Sequence, residues 1–181
     1  MLFKHIFTLP LLFKNLLPIK TEKSIILNSY LGKWNQVATS RSTSLFGTGP
    51  GYRNVSALYN ITNGTLLSVY NSGYNRKKEF TSISGYSYTE GESQTKRKLH
   101  FDTVPVDGNY WIVKLGPIKN NEYQYAIVSG AIRNYFGTRF SLYVLARNIK
   151  EYQLYYEEQV KLWCKKNLFI FYWNEYIQTY K

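Results

Sequence analysis

Cysteine is almost absent from this chain, with Cys164 alone among 181 residues. No disulfide can form within the chain, and no cysteine-based metal cluster is possible. Histidine is nearly as scarce: His5 and His100 stand without a metal-ligating neighbour at useful spacing. No Ser/His/Asp set has catalytic context, and Gly47-Thr48-Gly49-Pro50-Gly51 lacks the lysine and following helix of a phosphate-binding loop. The expectation is a protein that is not an enzyme and that needs no cofactor or metal. Acidic residues are also few, 11 against 23 Lys+Arg, for a net charge of +12. That sign favours nucleic acid, an anionic membrane or an anionic ligand without choosing among them. A long hydrophobic run is missing too. The apolar stretch from Ile6 to Phe13 follows a basic start, is interrupted by Lys14 and Lys20, and is too short for a membrane-spanning helix. It reads as a degenerate secretion signal or a retained apolar arm over residues 1–24. No cysteine stands there to take a lipid.

What the chain does have is aromatic residues, 18% of the total, including 18 tyrosines, within a hydrophobic content of 44%. Such a chain can bury a core, and tyrosine at this density favours strands, where the ring packs on a pleated surface. Eight strands are expected, over residues 32–41, 52–61, 65–71, 79–89, 97–103, 110–115, 123–129 and 139–147. Asn63-Gly64 is the strongest hairpin signal. After Asn148 the period changes: Tyr152, Tyr155, Tyr156, Gln159, Val160 and Trp163 fall on one helical face. A helix over about 151–166 should therefore lay an aromatic stripe on the outside of the sheet. Early Glu157 and Glu158 and late Lys165 and Lys166 suit its dipole.

Several short motifs occur in a telling order. Gly32-Lys33-Trp34 opens the first strand, and Arg147 ends the last. Between them lie Val69-Tyr70-Asn71-Ser72-Gly73-Tyr74-Asn75, Ile83-Ser84-Gly85-Tyr86-Ser87 and Tyr110-Trp111-Ile112-Val113. Together they resemble the lipocalin family, in its bacterial-lipocalin and apolipoprotein D-like branch. The resemblance covers about residues 31–179. One departure is the segment 115–123, where the family's turn aspartate is missing and the loop is longer. The resemblance implies an all-β fold: an eight-stranded antiparallel up-and-down barrel over about 32–147, with a C-terminal α-helix packed on the outside and a terminal segment over 167–181. The whole of 25–181 would then be one domain. It further implies that Trp34 plugs the closed end while Arg147 covers its ring, a cation–π contact worth roughly 0.5–2 kcal/mol. Secretion or membrane association is the location this branch favours.

A closed barrel of this size holds one small ligand. Strand parity, together with the resemblance, nominates Tyr59, Asn71, Leu99, Phe101, Trp111, Tyr143 and Leu145 as its lining. Tyr59 and Asn71 could fix a polar head while the others cover a chain. Arg41, Arg53 and Arg76 would sit near the open end and favour a carboxylate or phosphate head. The expected partner is a small hydrophobic ligand such as a fatty acid or lysophospholipid, with possible association with anionic membrane. The alternative is a basic module binding nucleic acid or an anionic surface through Lys96-Arg97-Lys98 and exposed tyrosines, although no long basic run exists. Asn54, Asn60 and Asn63 head glycosylation sequons. Cys164 beside Trp163 is open to three readings: a packed or exposed thiol, a reactive one, or an interchain disulfide.

Overall fold

The computed structural model describes residues 19–46, 49–134, 137–172 and 174–180. Most of the expected N-terminal arm, residues 1–18, lies outside the described residues. A single helical turn, α1 (Leu27–Tyr30), leads into β1 (Gly32–Thr39). There follow β2 (Arg53–Asn63), β3 (Leu66–Tyr74), β4 (Phe80–Glu90), β5 (Ser93–Phe101) and β6 (Gly108–Leu115). A miniature hairpin of β7 (Ile118–Lys119) and β8 (Glu122–Tyr123) precedes β9 (Tyr125–Asn134) and β10 (Gly137–Ala146). Each long strand pairs antiparallel with its neighbour, and β10 pairs back onto β1. The sheet is therefore sealed into an eight-stranded barrel, which leaves no edge among its main strands.

The departure at residues 115–123 has a local cause. Asn120 and Asn121 both take positive φ, 50° and 63°, as a two-residue hairpin turn with the right twist demands. The chain uses them to build β7–β8 where the sequence resemblance lapses.

Two apolar layers follow from strand alternation. The inner one includes Trp34, Tyr59, Leu67, Val69, Phe101, Tyr110, Ile112 and Leu145. The outer one joins Val37, Val113, Ile127, Leu142 and Val144 to the C-terminal helix. That helix, α2, spans 149–166. It begins as Ile149–Glu151, widens into a π-turn over Tyr152–Tyr156 and continues as Glu157–Lys166. The Asn148 side chain caps it by accepting from the backbone N–H groups of Lys150 and Glu151. The π-turn changes the stripe. With a wider turn, residues four apart stay in line, so Tyr152, Tyr156, Val160 and Cys164 are the buried ridge. Tyr155 and Gln159, expected on that face, are instead exposed. Cys164 is packed, 1% exposed, and burial pushes its thiol pKa up to about 12. Beyond the helix, β11 (Ile177–Gln178) pairs with the end of β1, at Ala38 and Thr39. It occupies the side of β1 that β2, paired only up to Asn35, has left.

Candidate functional site

One end of the barrel is closed by the residues the motif reading named. Gly32 takes φ +90°, a conformation that L side chains resist, so the chain can swing from α1 into β1. This turn drops Trp34 into the floor, where it is fully buried and its Nε1 donates to the Tyr30 carbonyl at 2.8 Å. The Arg147 guanidinium lies 3.8 Å from the Trp34 ring centroid. It also donates to the carbonyls of Leu31 (2.6 Å), Lys33 (2.8 Å), Ser29 (3.1 Å) and Tyr123 (3.3 Å). A single cation thus fastens the chain before β1, β1 itself and the β8 corner. Residues 19–24 complete the closure from outside. The Glu22 N–H donates to the Ile112 carbonyl, and its carboxylate accepts from the Leu115 N–H.

Above the floor is an apolar hollow of about 70 Å³, lined by Tyr59, Asn71, Leu99, Phe101, Tyr143 and Leu145, with Gln36, Val55, Tyr110, Val104 and Val106 around them. Six of the seven expected lining residues therefore converge. The hollow is small, since small-molecule pockets commonly hold roughly 300–1,000 Å³.

Trp111 is the correction. It packs with the outer layer, and Lys96, its partner in the β5–β6 register, sits over its ring. Tyr110 holds the inward place. In Tyr110-Trp111-Ile112-Val113 both faces are apolar, because the outer face is itself covered, so alternation alone did not reveal the phase.

Asn71 is the one lining residue whose polar atom is stranded. Its Oδ1 is buried with no hydrogen-bond partner among the described residues. An unmet buried acceptor costs about 1–3 kcal/mol. Asn71→Leu is expected to raise the unfolding free energy of the unliganded protein by about 1 kcal/mol, read from urea unfolding midpoints. A loss of stability would mean that the amide is already satisfied.

At the bottom of the hollow three tyrosines meet. Tyr30 and Tyr59 each share a hydrogen bond with the Tyr110 hydroxyl, at 2.6 and 2.9 Å. Burial raises the pKa of all three, Tyr59 to about 12, so they remain protonated at neutral pH. Directly opposite Tyr110 in the β5–β6 register is Arg97, only 1% exposed. Its guanidinium donates to the Ser87 hydroxyl and carbonyl, both at 2.9 Å, and to the carbonyls of Thr65 and Gln94. Burial lowers its pKa, yet arginine keeps its charge in proteins. The nucleic-acid alternative needs Arg97 on the surface with Lys96 and Lys98. The signal against that was present: Leu99 and Phe101 face in, so period-2 alternation turns Arg97 in and Lys96 and Lys98 out.

At the mouth, the β5–β6 loop is latched to the barrel's outside. The Asp107 carboxylate accepts from the Tyr88 hydroxyl and meets His100 Nδ1 at 2.8 Å. These contacts, Tyr88 first, hold the Asp107 carboxyl below the usual carboxylate range. The expected mouth arginines are partly engaged elsewhere. Arg41 pairs with Glu175 at 3.4 Å and lies over Tyr172, and Arg76 donates to the Pro50 carbonyl at 3.0 Å.

Known proteins resemble this chain in sequence or in fold. The outer membrane lipoprotein Blc of Vibrio cholerae serotype O1 is 34% identical over 119 residues, a match spanning 65% of this chain and 65% of that protein. Among solved structures, H1 crustacyanin from the lobster Homarus americanus superposes with a TM-score of 0.63 at 14% identity, over 88% of this chain and 81% of its own. Japanin from Rhipicephalus appendiculatus, solved with cholesterol, gives a TM-score of 0.52 at 9% identity, over 86% and 95%. At such identities the two structures speak for the fold alone. The lipocalin-like domain profile matches residues 25–162. Because that span takes in the Gly32–Trp34 floor, all eight barrel strands and most of the outer helix, the chain belongs to the lipocalin family.

Proposed function

We propose that this protein binds and carries a single-chain lipid, a fatty acid or lysophospholipid, in the barrel. The observation behind the reading is the shape and chemistry of the hollow: sealed below, open above, small, and walled by Leu99, Phe101, Tyr143 and Leu145. A small apolar hollow can enlarge around one flexible alkyl chain by side-chain shifts along its length, whereas a fused ring system needs a wide rigid space all at once. The net charge of +12 adds a preference for an anionic amphiphile. Loading from an anionic membrane suits the open rim, whose strand ends and loops carry the exposed Val106 (71%) and Phe80 (60%) and the exposed cations Arg53, Lys77 and Lys78.

The nucleic-acid alternative loses its main support in the same geometry. Of Lys96-Arg97-Lys98, the arginine points inward, and both lysines pair with Glu90.

A fluorescent fatty acid titrated into the protein should bind saturably, and unlabelled fatty acid should displace it. Tyr143→Ala is expected to weaken binding about tenfold, the loss of one well-packed aromatic wall. Unchanged affinity would move the ligand out of this hollow.

A further inference from the structure

The barrel floor carries an unbalanced positive charge and an unused hydrogen-bond donor. Three phenol hydroxyls bring three protons, and the two links among Tyr30, Tyr59 and Tyr110 use two of them. In every arrangement of those links, one hydroxyl proton has no acceptor among the described residues. In two of the three arrangements it belongs to Tyr59 or Tyr110, which line the hollow. Beside them lies Arg97. Its four hydrogen bonds all end on neutral oxygens, and no carboxylate among the described residues pairs with it. The tyrosines cannot supply the missing negative charge, because burial keeps them neutral. A buried charge normally finds a partner. Tyr110 lies directly opposite Arg97 in the β5–β6 register and lines the cavity, so an anion held at the tyrosine hydroxyls would lie on the same part of the floor as that charge.

We propose that this floor is an anion subsite. A carboxylate enters head first and accepts from the hydroxyls of Tyr59 and Tyr110. It balances the Arg97 charge, and its alkyl chain rises past Leu99, Phe101 and Leu145 to the mouth. The inference rests on the single-chain lipid reading above and adds the head group and its orientation. It also sets the head at the opposite end from Arg41, Arg53 and Arg76, where the sequence had suggested it.

The test compares decanoic acid with decanol, matched chains that differ in the charged head, by displacement of a neutral fluorescent lipid. The proteins are the wild type, the double variant Tyr59→Phe/Tyr110→Phe and, for the mouth, Arg53→Gln/Arg76→Gln. Arg97→Met removes the charge but also four hydrogen bonds, so the tyrosine variant, which keeps both rings, is the decisive one; circular dichroism melts confirm that it folds. The expected result is acid bound roughly tenfold tighter than alcohol by the wild type, as for one charge-assisted hydrogen bond. That preference should collapse in the tyrosine variant and persist in the mouth variant. Equal binding of acid and alcohol by the wild type would overturn the subsite and leave the lipid reading standing. A preference that survives the tyrosine variant, or that vanishes in the mouth variant, would overturn it as well. If neither compound binds, the lipid reading itself fails.

Discussion

Trp34→Ala is expected to lower the unfolding free energy by about 4 kcal/mol, within the range for emptying a fully buried aromatic site. Three losses combine at this position. The indole is completely buried, so its whole apolar surface returns to a void. Its Nε1 bond to the Tyr30 carbonyl disappears. Arg147 loses the ring it covers at 3.8 Å while its guanidinium stays tied to carbonyls around the gap. The backbone around the floor is held by these very bonds, so the site cannot collapse to fill the space, and the upper half of the range applies. Trp34→Phe keeps a ring under the guanidinium and should cost less than half as much. Urea unfolding followed by far-ultraviolet circular dichroism measures both. A loss below about 1.5 kcal/mol for the alanine variant would show that the floor is held by the arginine's carbonyl bonds alone.

The floor was readable in the chain because its parts are short and asymmetric. Gly32, Trp34 and Arg147 each have one physical reason to be where they are, and the fold brings them together at one point. The same holds for Val69-Tyr70-Asn71-Ser72-Gly73-Tyr74-Asn75. Val69 and Asn71 alternate inward, and Asn75 closes the β3–β4 turn by accepting from the N–H groups of Lys77 and Glu79. Legibility failed where one face of an element did not contrast with the other. In β6 both faces are apolar, so Trp111 and Tyr110 exchanged roles. In the helix a π-turn altered the period after the first turn, and a fixed 3.6-residue spacing then placed Tyr155 under cover that it does not have. Arg97 was hidden by its neighbours: a cation between two lysines reads as surface, and only the strand's register, set by Leu99 and Phe101, turns it inward. The order of the short motifs therefore carries the resemblance that implies the barrel, but the polarity of its interior depends on phase, which a basic run obscures.

Gly85→Ala is expected to cost about 3 kcal/mol, the upper end for overpacking, because the clash is with backbone. Gly85 lies opposite Phe101 in the β4–β5 register. A Cβ built there would stand 1.9 Å from the His100 carbonyl oxygen and 2.7 Å from Phe101 Cδ1. No side-chain rotation relieves the first contact, so β4 and β5 must separate locally, against the ladder that joins them. Phe101 lines the hollow, and the displaced strand carries it along. The variant should therefore lose lipid affinity as well as stability, although its methyl group is the smallest addition possible. Ser84→Ala next to it, on an exposed position, serves as the comparison and should stay within about 0.5 kcal/mol of the wild type. Melting curves of the two variants, with fatty-acid displacement at a temperature where both are folded, separate the steric effect from any general sensitivity of β4. If Gly85→Ala melts with Ser84→Ala, the two strands are not held as closely as their register requires. The barrel wall would then be loose enough to widen for a ligand, and the small size of the hollow would no longer select a single chain.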